Sequence, residues 1–295
     1  MRAQARMLPD GRRLHLQDGP IDIILQAFGE KDQIELAYSA AVARFTTVLD
    51  ELCSELPALR SPAHPGRSTP SGAIAQRMFE AVLPFATQHF ITPMAAVAGA
   101  VAEEILNAMT AAADLSRAYV NDGGDIALYL SPGEQFIIGM VERSDRPSLF
   151  ATTVVESSSP VRGIATSGWR GRSFSLGIAD AVTVLANSAT MADAAATIIA
   201  NAVNLPGHAS ITRAPASELA PDSDLGDLLV TTGVGQLTRF EVREALRRGT
   251  ACAVSLTASG LIHAAALCLQ GSTSVVPGIH LNVLAKPRER SLLHA

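Results

Sequence analysis

Asp193 and Thr197 stand four residues apart in the alanine-rich run Met191-Ala192-Asp193-Ala194-Ala195-Ala196-Thr197. On a helix, that spacing sets both side-chain oxygens on one face, a turn apart. Alanine favours the helix and leaves the two polar groups uncrowded. A carboxylate beside a hydroxyl is a half-site for Mg²⁺, a hard cation that takes oxygen ligands and keeps room for substrate phosphates. An acid in a first helical turn also suits the helix dipole without binding anything. The pair therefore needs neighbours before it reads as a site.

Two glycine-bearing segments upstream could supply them. Asn121-Asp122-Gly123-Gly124-Asp125 sets two glycines among polar residues, which permits positive φ and close approach of a ligand to the backbone. Alone, this segment is better read as a hairpin turn between strands. In Gly163 to Arg172, small residues and the hydroxyls of Thr166 and Ser167 leave space beside Gly168 for a bulky ligand. Arg170 and Arg172 could clamp a phosphate or carboxylate through their planar forks, and Trp169, the one tryptophan, could stack on a ring. A solvated loop anchored by its Trp fits the same residues equally well. The small residues of Ile91 to Glu104 suit a closely packed helix, and its first amides, at Met94 and Ala95, could meet an anion. A buried packing helix is the better reading of that run by itself.

Other clusters carry less. Asp222, Asp224 and Asp227 lack the spacing and the Glu of a calcium loop. Gly233-Val234-Gly235 lacks the third glycine of a dinucleotide fingerprint. Ser167 has no nucleophile-elbow sequence around it and no identifiable base.

The elements that must position these residues follow from periodicity. A hairpin is expected about Gln17-Asp18-Gly19-Pro20 and an amphipathic helix over 31–55, with a loop at 56–72. Helices follow at 73–90 and 93–113, the second opening on Thr92-Pro93. Short strands are expected at 118–121, 125–130, 135–142, 149–156, 162–167 and 181–186, and a helix at 190–203. Residues 204–226 read as irregular. Thr238 and Glu241 form a capping box for a helix to about Arg248, with strands near 250–257 and 261–269 and a frayed tail after Lys286. Helices interspersed with mainly antiparallel strands make the class α+β.

The chain has 295 residues, of which 48% are apolar, 17% charged and 4% aromatic, with a net charge of −5. That composition supports a substantial core and argues against wholesale disorder. Without clustered Lys and Arg or stacking rings, no nucleic-acid groove is expected. Three widely spaced cysteines support neither a zinc site nor a disulfide framework. No secretory leader is seen, and Met94–Ala102 is too short an apolar run for a membrane span. The expected setting is the cytoplasm, with no membrane partner.

In this order, the motifs resemble those of the ApbE superfamily, whose best-known members are FAD-dependent protein FMN transferases. The matching pieces are Asn121 to Ile126, Ile164 to Gly168, Ala181 to Ala186 and Ala192 to Thr197. The resemblance covers roughly residues 90–205 and is strongest to an uncharacterised branch in which the runs at Ala179 to Val184 and Asp222 to Asp227 also appear. It implies an ApbE-like single domain over 1–295 with a cleft lined by residues 90–205. It also implies FAD or FMN as cofactor and Mg²⁺ on Asp193 and Thr197, which would be both the metal-binding and the catalytic residues. By the same resemblance the flavin nucleotide lies against Asn121, Gly123, Gly124, Asp125, Thr166, Ser167, Gly168 and Arg170. The family reaction passes FMN from FAD to a hydroxyl of a target protein and releases AMP.

The sequence departs from the transferases in two places. Gly99 stands where they carry a Lys, and Arg170 to Gly177 lacks their His and Pro. Pyrophosphate cleavage of FAD, a flavin- or nucleotide-binding protein without catalysis, and an enzyme acting on a small anionic metabolite therefore stand as alternatives. The alanine-rich helices and an antiparallel edge also suit a homodimer.

Overall fold

The computed structural model describes residues 3–141, 149–276 and 281–283. In chain order, three strands open the fold: β1 (Gln4–Met7), β2 (Leu14–Asp18) and β3 (Ile21–Phe28). Helices α1 (Lys31–Ser54), α2 (Leu56–Leu59) and α3 (Ala73–Val82) follow, then a 3-10 turn (Pro93–Ala96) leading into α4 (Val97–Ala112). Strands β4 (Arg117–Asp122), β5 (Asp125–Leu130), β6 (Gln135–Val141), β7 (Leu149–Glu156), β8 (Gly163–Ser167) and β9 (Ala181–Ala186) come next. The chain continues through α5 (Ala189–Ala202), β10 (Ile211–Pro215), α6 (Ala216–Leu219), β11 (Leu229–Val234) and α7 (Arg239–Ala258), and closes with β12 (Ala264–Leu269), β13 (Ser272–Val276) and β14 (Leu281–Val283).

Nine strands form one sheet in the order β1-β2-β3-β4-β5-β8-β9-β12-β13, with every pairing antiparallel. The α+β class is thus the observed one. One face of the sheet packs against α1, α3, α4, α5 and α7 through Ile23, Leu25, Phe45, Met78, Ile105 and Ile199, among others. The other face carries a smaller core in which Leu128, Ile164 and Leu185 meet Ile138, Met140 and Val155 from the β14-β7-β6 sheet. Covered on both faces, β9 and β12 are apolar or small at nearly every position, and all their residues are buried.

Several expectations change. The strand expected at 250–257 is instead the second half of α7. A short alternation of Ala, Val and Leu suggested a strand, but Val242, Ala245, Leu246, Gly249 and Ala253 bury at helical spacing, and the helix runs on from its Thr238–Glu241 capping box. The helix expected to Phe90 stops at Val82, ahead of Pro84, which cannot continue the hydrogen-bond ladder. Within the irregular stretch, β10 and α6 form, and β10 pairs with β11. The loop at 56–72 contains α2, and β1 and β13 were unanticipated. The tail after Lys286 lies outside the described residues. Among the described residues, no helix is long and apolar enough to cross a membrane.

Candidate functional site

The β4–β5 turn is a two-residue hairpin. Asp122 pairs with Asp125 across it, and Gly123 and Gly124 adopt φ of 65° and 118°. Positive φ at both positions is what such a tight turn demands, and glycine meets the demand without strain. Asn121 is a turn residue here, since its Oδ1 accepts the Gly124 amide at 2.8 Å. The hairpin also carries carboxylates. Asp125 Oδ1 accepts the Thr166 amide at 3.1 Å, which ties the turn to the end of β8. Asp122 is buried, and its Oδ1 accepts the Asp22 amide at 3.4 Å. The exposed Arg172 lies over the turn, because a Cβ placed on Gly123 would come within 2.5 Å of its Nη2.

Asp193 projects from α5 toward the start of α4. Its Oδ2 accepts the Gly99 amide at 3.1 Å, and it is also hydrogen-bonded by the Ala98 amide. Those are first-turn donors of α4, whose N-cap, Ala96, has no side chain able to satisfy them. The service is returned: Glu103 of α4 accepts the Thr190 amide in the first turn of α5 at 3.0 Å. Each helix therefore caps the other. Their close crossing depends on Gly99, where a Cβ would lie 2.4 Å from the Ala189 carbonyl oxygen.

This crossing brings Asp193 near the hairpin acids. Burial, with Asp122 adding repulsion, pushes the Asp193 carboxyl up to about 7, although the Gly99 and Ala98 amides pull the other way. Burial also raises Asp122 to about 7, against the Asp22 amide and Arg172. Asp125 is pushed well above the usual carboxylate range by burial, then by Asp193, with Asp122 adding to it. Three carboxyls that resist simultaneous ionisation make a place where positive charge is favoured.

The other expected site residues divide. Thr197, one turn beyond Asp193, lines a cavity of about 40 Å³ with Thr92, Phe174, Asn201 and Asp224. Thr166 directs its hydroxyl to Thr183 at 3.0 Å, and Ser167 is half-buried next to it. Gly168 accepts the Gly171 amide in the bend that follows β8. Arg170 points elsewhere: its Nε bonds Asp180 at 2.7 Å, and its guanidinium covers the Trp169 ring at 4.2 Å. Of the two arginines, Arg172 is the one beside the acids. The Ala95 amide, one of the two expected to meet an anion, instead bonds the Thr92 carbonyl. The three acids of the Asp222–Asp227 loop each hold a separate partner, namely Arg60, Thr92 and Ser217.

Sequence reasoning passed over Asp122 and Glu103. Asp122 could have been noticed as the residue facing Asp125 across a two-residue turn. Glu103 gave no local signal, because its partner is 87 residues away. Among the described residues, no three His, Cys, Asp or Glu side chains converge as a ready-made metal cage. Mg²⁺ does not require one, since it commonly takes one or two carboxylates and completes its shell with water and phosphate.

A family model described as AbpE bacteria matches residues 5–275. The chain belongs to that family. It is 34% identical over 183 residues to a UPF0280 protein of Methanopyrus kandleri, covering 61% of this chain and 69% of that one. It is 38% identical over 114 residues to a UPF0280 protein of Methanothrix thermoacetophila, covering 38% of this chain and 46% of that relative. Beyond the first of these, the matches span about half the length of the curated relatives. Among solved structures, the flavin transferase ApbE from Vibrio cholerae aligns with 93% of this chain and 97% of its own, at 12% identity and a TM-score of 0.39. In this AbpE bacteria member, the Gly99 amide is a donor to Asp193 and Glu103 is the reciprocal cap.

Proposed function

We propose that this AbpE bacteria member, acting as a single unit, handles a flavin nucleotide with Mg²⁺. In this reading it cleaves the pyrophosphate of FAD, transferring FMN to a protein hydroxyl or to water. The observation that carries the proposal is the mutual repulsion among Asp193, Asp125 and Asp122, three carboxyls held above their ordinary range and so favouring a cation. Asp193 accepts the Gly99 amide through Oδ2 and is also bonded by the Ala98 amide, so a metal would share its carboxylate with these donors, with the Thr197 hydroxyl one turn further along the same helix. When bound, the metal would neutralise charge on the pyrophosphate.

The remaining roles fall to residues of the chain. Asp125 is half-buried, with one oxygen held by Thr166, and its high proton affinity suits it to accept the proton of the attacking hydroxyl near neutral pH. Arg172 offers the phosphates a cation beside the same turn. The phosphoanhydride P–O bond breaks, a phosphoester forms on the acceptor oxygen, and AMP leaves. The cavity at Thr197, about 40 Å³, is far below the roughly 300 Å³ at which ligand pockets begin, so the flavin ring belongs on the open side of the acids.

A second reading, binding without transfer, is favoured by the fixed Arg170–Asp180 pair, which removes one cation from the phosphate side. Incubation of the purified protein with FAD and Mg²⁺, followed by chromatography, separates the two. AMP and FMN should appear, and should disappear with EDTA or in Asp193→Asn. Saturable FAD binding with intact FAD recovered would support the second reading instead. Absence of binding would remove both, and leave a small anionic metabolite as the substrate class to test.

A further inference from the structure

We propose that the chain has a second ligand site, distinct from the acid cluster, that takes a small organic carboxylate with an apolar body. Strands β5 and β8 pair only at Ile126–Ile164 and Ala127–Gly163. One further bond, from the Leu128 amide to the Arg162 carbonyl at 2.8 Å, follows before they part. The gap opens a cavity of about 280 Å³ bounded by α4, β5 and the Asn187-Ser188 segment. That is close to the lower end of the usual ligand-pocket range, about 300 Å³. Leu106, Ala127 and Leu128 give it apolar lining, and Asn107, Tyr129 and Arg162 line it too.

The charge balance selects the ligand. Glu103, which also lines the cavity, is already compensated by Arg77 at 3.4 Å and by the Thr190 amide at 3.0 Å. Arg162 is not compensated. Its Nη1 donates to the carbonyls of Ser159 and Val161 at 2.6 Å, and its Nη2 to that of Ser157 at 2.8 Å. Carbonyls fix the guanidinium in place but leave its full charge, and no ion pair among the described residues includes it. Three of its five N–H donors are engaged, so Nε–H and one N–H on Nη2 remain. Two donors on adjacent nitrogens of a rigid fork match the two oxygens of a carboxylate. An ammonium ligand would meet repulsion, and a large nucleotide would not fit the volume.

Benzoate is a suitable probe, with benzamide as its uncharged counterpart. In amide shift mapping, benzoate should saturably perturb residues 127–129, 162 and 187–188, and benzamide should bind at least about tenfold more weakly, as expected for hydrogen bonds to a charged group. Arg162→Gln should weaken benzoate by a similar factor. Because Arg162 also holds three carbonyls, Asn107→Trp serves as an independent variant: this exposed position on α4 lies at the rim, and the indole should block entry with those bonds left intact. Asp193→Asn should leave benzoate binding unchanged, which separates this site from the flavin reading. Lack of perturbation at these residues, equal binding of benzamide, or undiminished binding in Asn107→Trp would overturn the proposal.

Discussion

Asp193 has two partners with opposed demands. The amides of α4 favour its charge, whereas burial and the hairpin acids oppose it. Asp193→Asn should separate the two, since the amide keeps a carbonyl oxygen for Gly99 and loses the repulsion. The variant should melt no lower than the parent at pH 8, while its thermal shift with Mg²⁺ disappears. A variant that keeps the full Mg²⁺ shift would remove this residue from the metal. Asp122 gives a pH dependence whose sign is fixed. Its carboxyl is raised from 3.8 to about 7 in the folded chain, so the folded state holds a proton that the unfolded state has lost across that window. Stability should therefore fall as pH rises from about 4 to 7, by at most about 4 kcal/mol from this group. Urea titrations without divalent metal at pH 5 and pH 8 should reveal the fall, and Asp122→Asn should flatten it. A parent that is more stable at pH 8 would show that the acids are not held as described.

At the scale of elements, the site depends on the crossing of α4 and α5. Gly99→Ala would drive a methyl to within 2.4 Å of a backbone carbonyl oxygen that cannot swing away. Such overpacking costs about 1–3 kcal/mol, and it should also loosen the Asp193 cap. The expected result is a lower urea midpoint together with a weaker Mg²⁺ response, and an unchanged midpoint would show that the helices can part freely. The helix carrying Asp193 and Thr197 was legible because its alanines act locally. So were the Gly123-Gly124 turn and the capping box at Thr238. Less legible was whatever depended on distant partners. Arg170 looked like a free cation until Asp180, ten residues on and just ahead of β9, came back beside it. Glu103 carried no local signal, because its partner comes from α5, laid across α4. The second half of α7 misled because eight residues of alternating size resemble a strand, and the helical stripe emerges only over the full length from Val242 to Ala253.

For the whole molecule, the nine-stranded sheet ranks stability by position. β9 and β12 lie inside it, paired on both edges and buried on both faces. β1 is an edge strand with every residue exposed. Amides open at a free energy set by how much structure must be lost with them, so exchange protection should climb from the β1 edge toward β9 and β12. The acid cluster occupies intermediate ground, at a hairpin end and the first turn of a helix. This is where a protein can afford local opening to admit a ligand without unfolding its core. Hydrogen exchange at neutral pH should find β1 amides fast, those of β9 and β12 slowest, and those of residues 121–125 and 97–99 between them. Added Mg²⁺ with FAD should slow the intermediate class selectively, because a ligand that binds only the closed site stabilises that local equilibrium by mass action. Uniform slowing would instead indicate global stabilisation, and slowing confined to β9 and β12 would contradict a ligand at the hairpin.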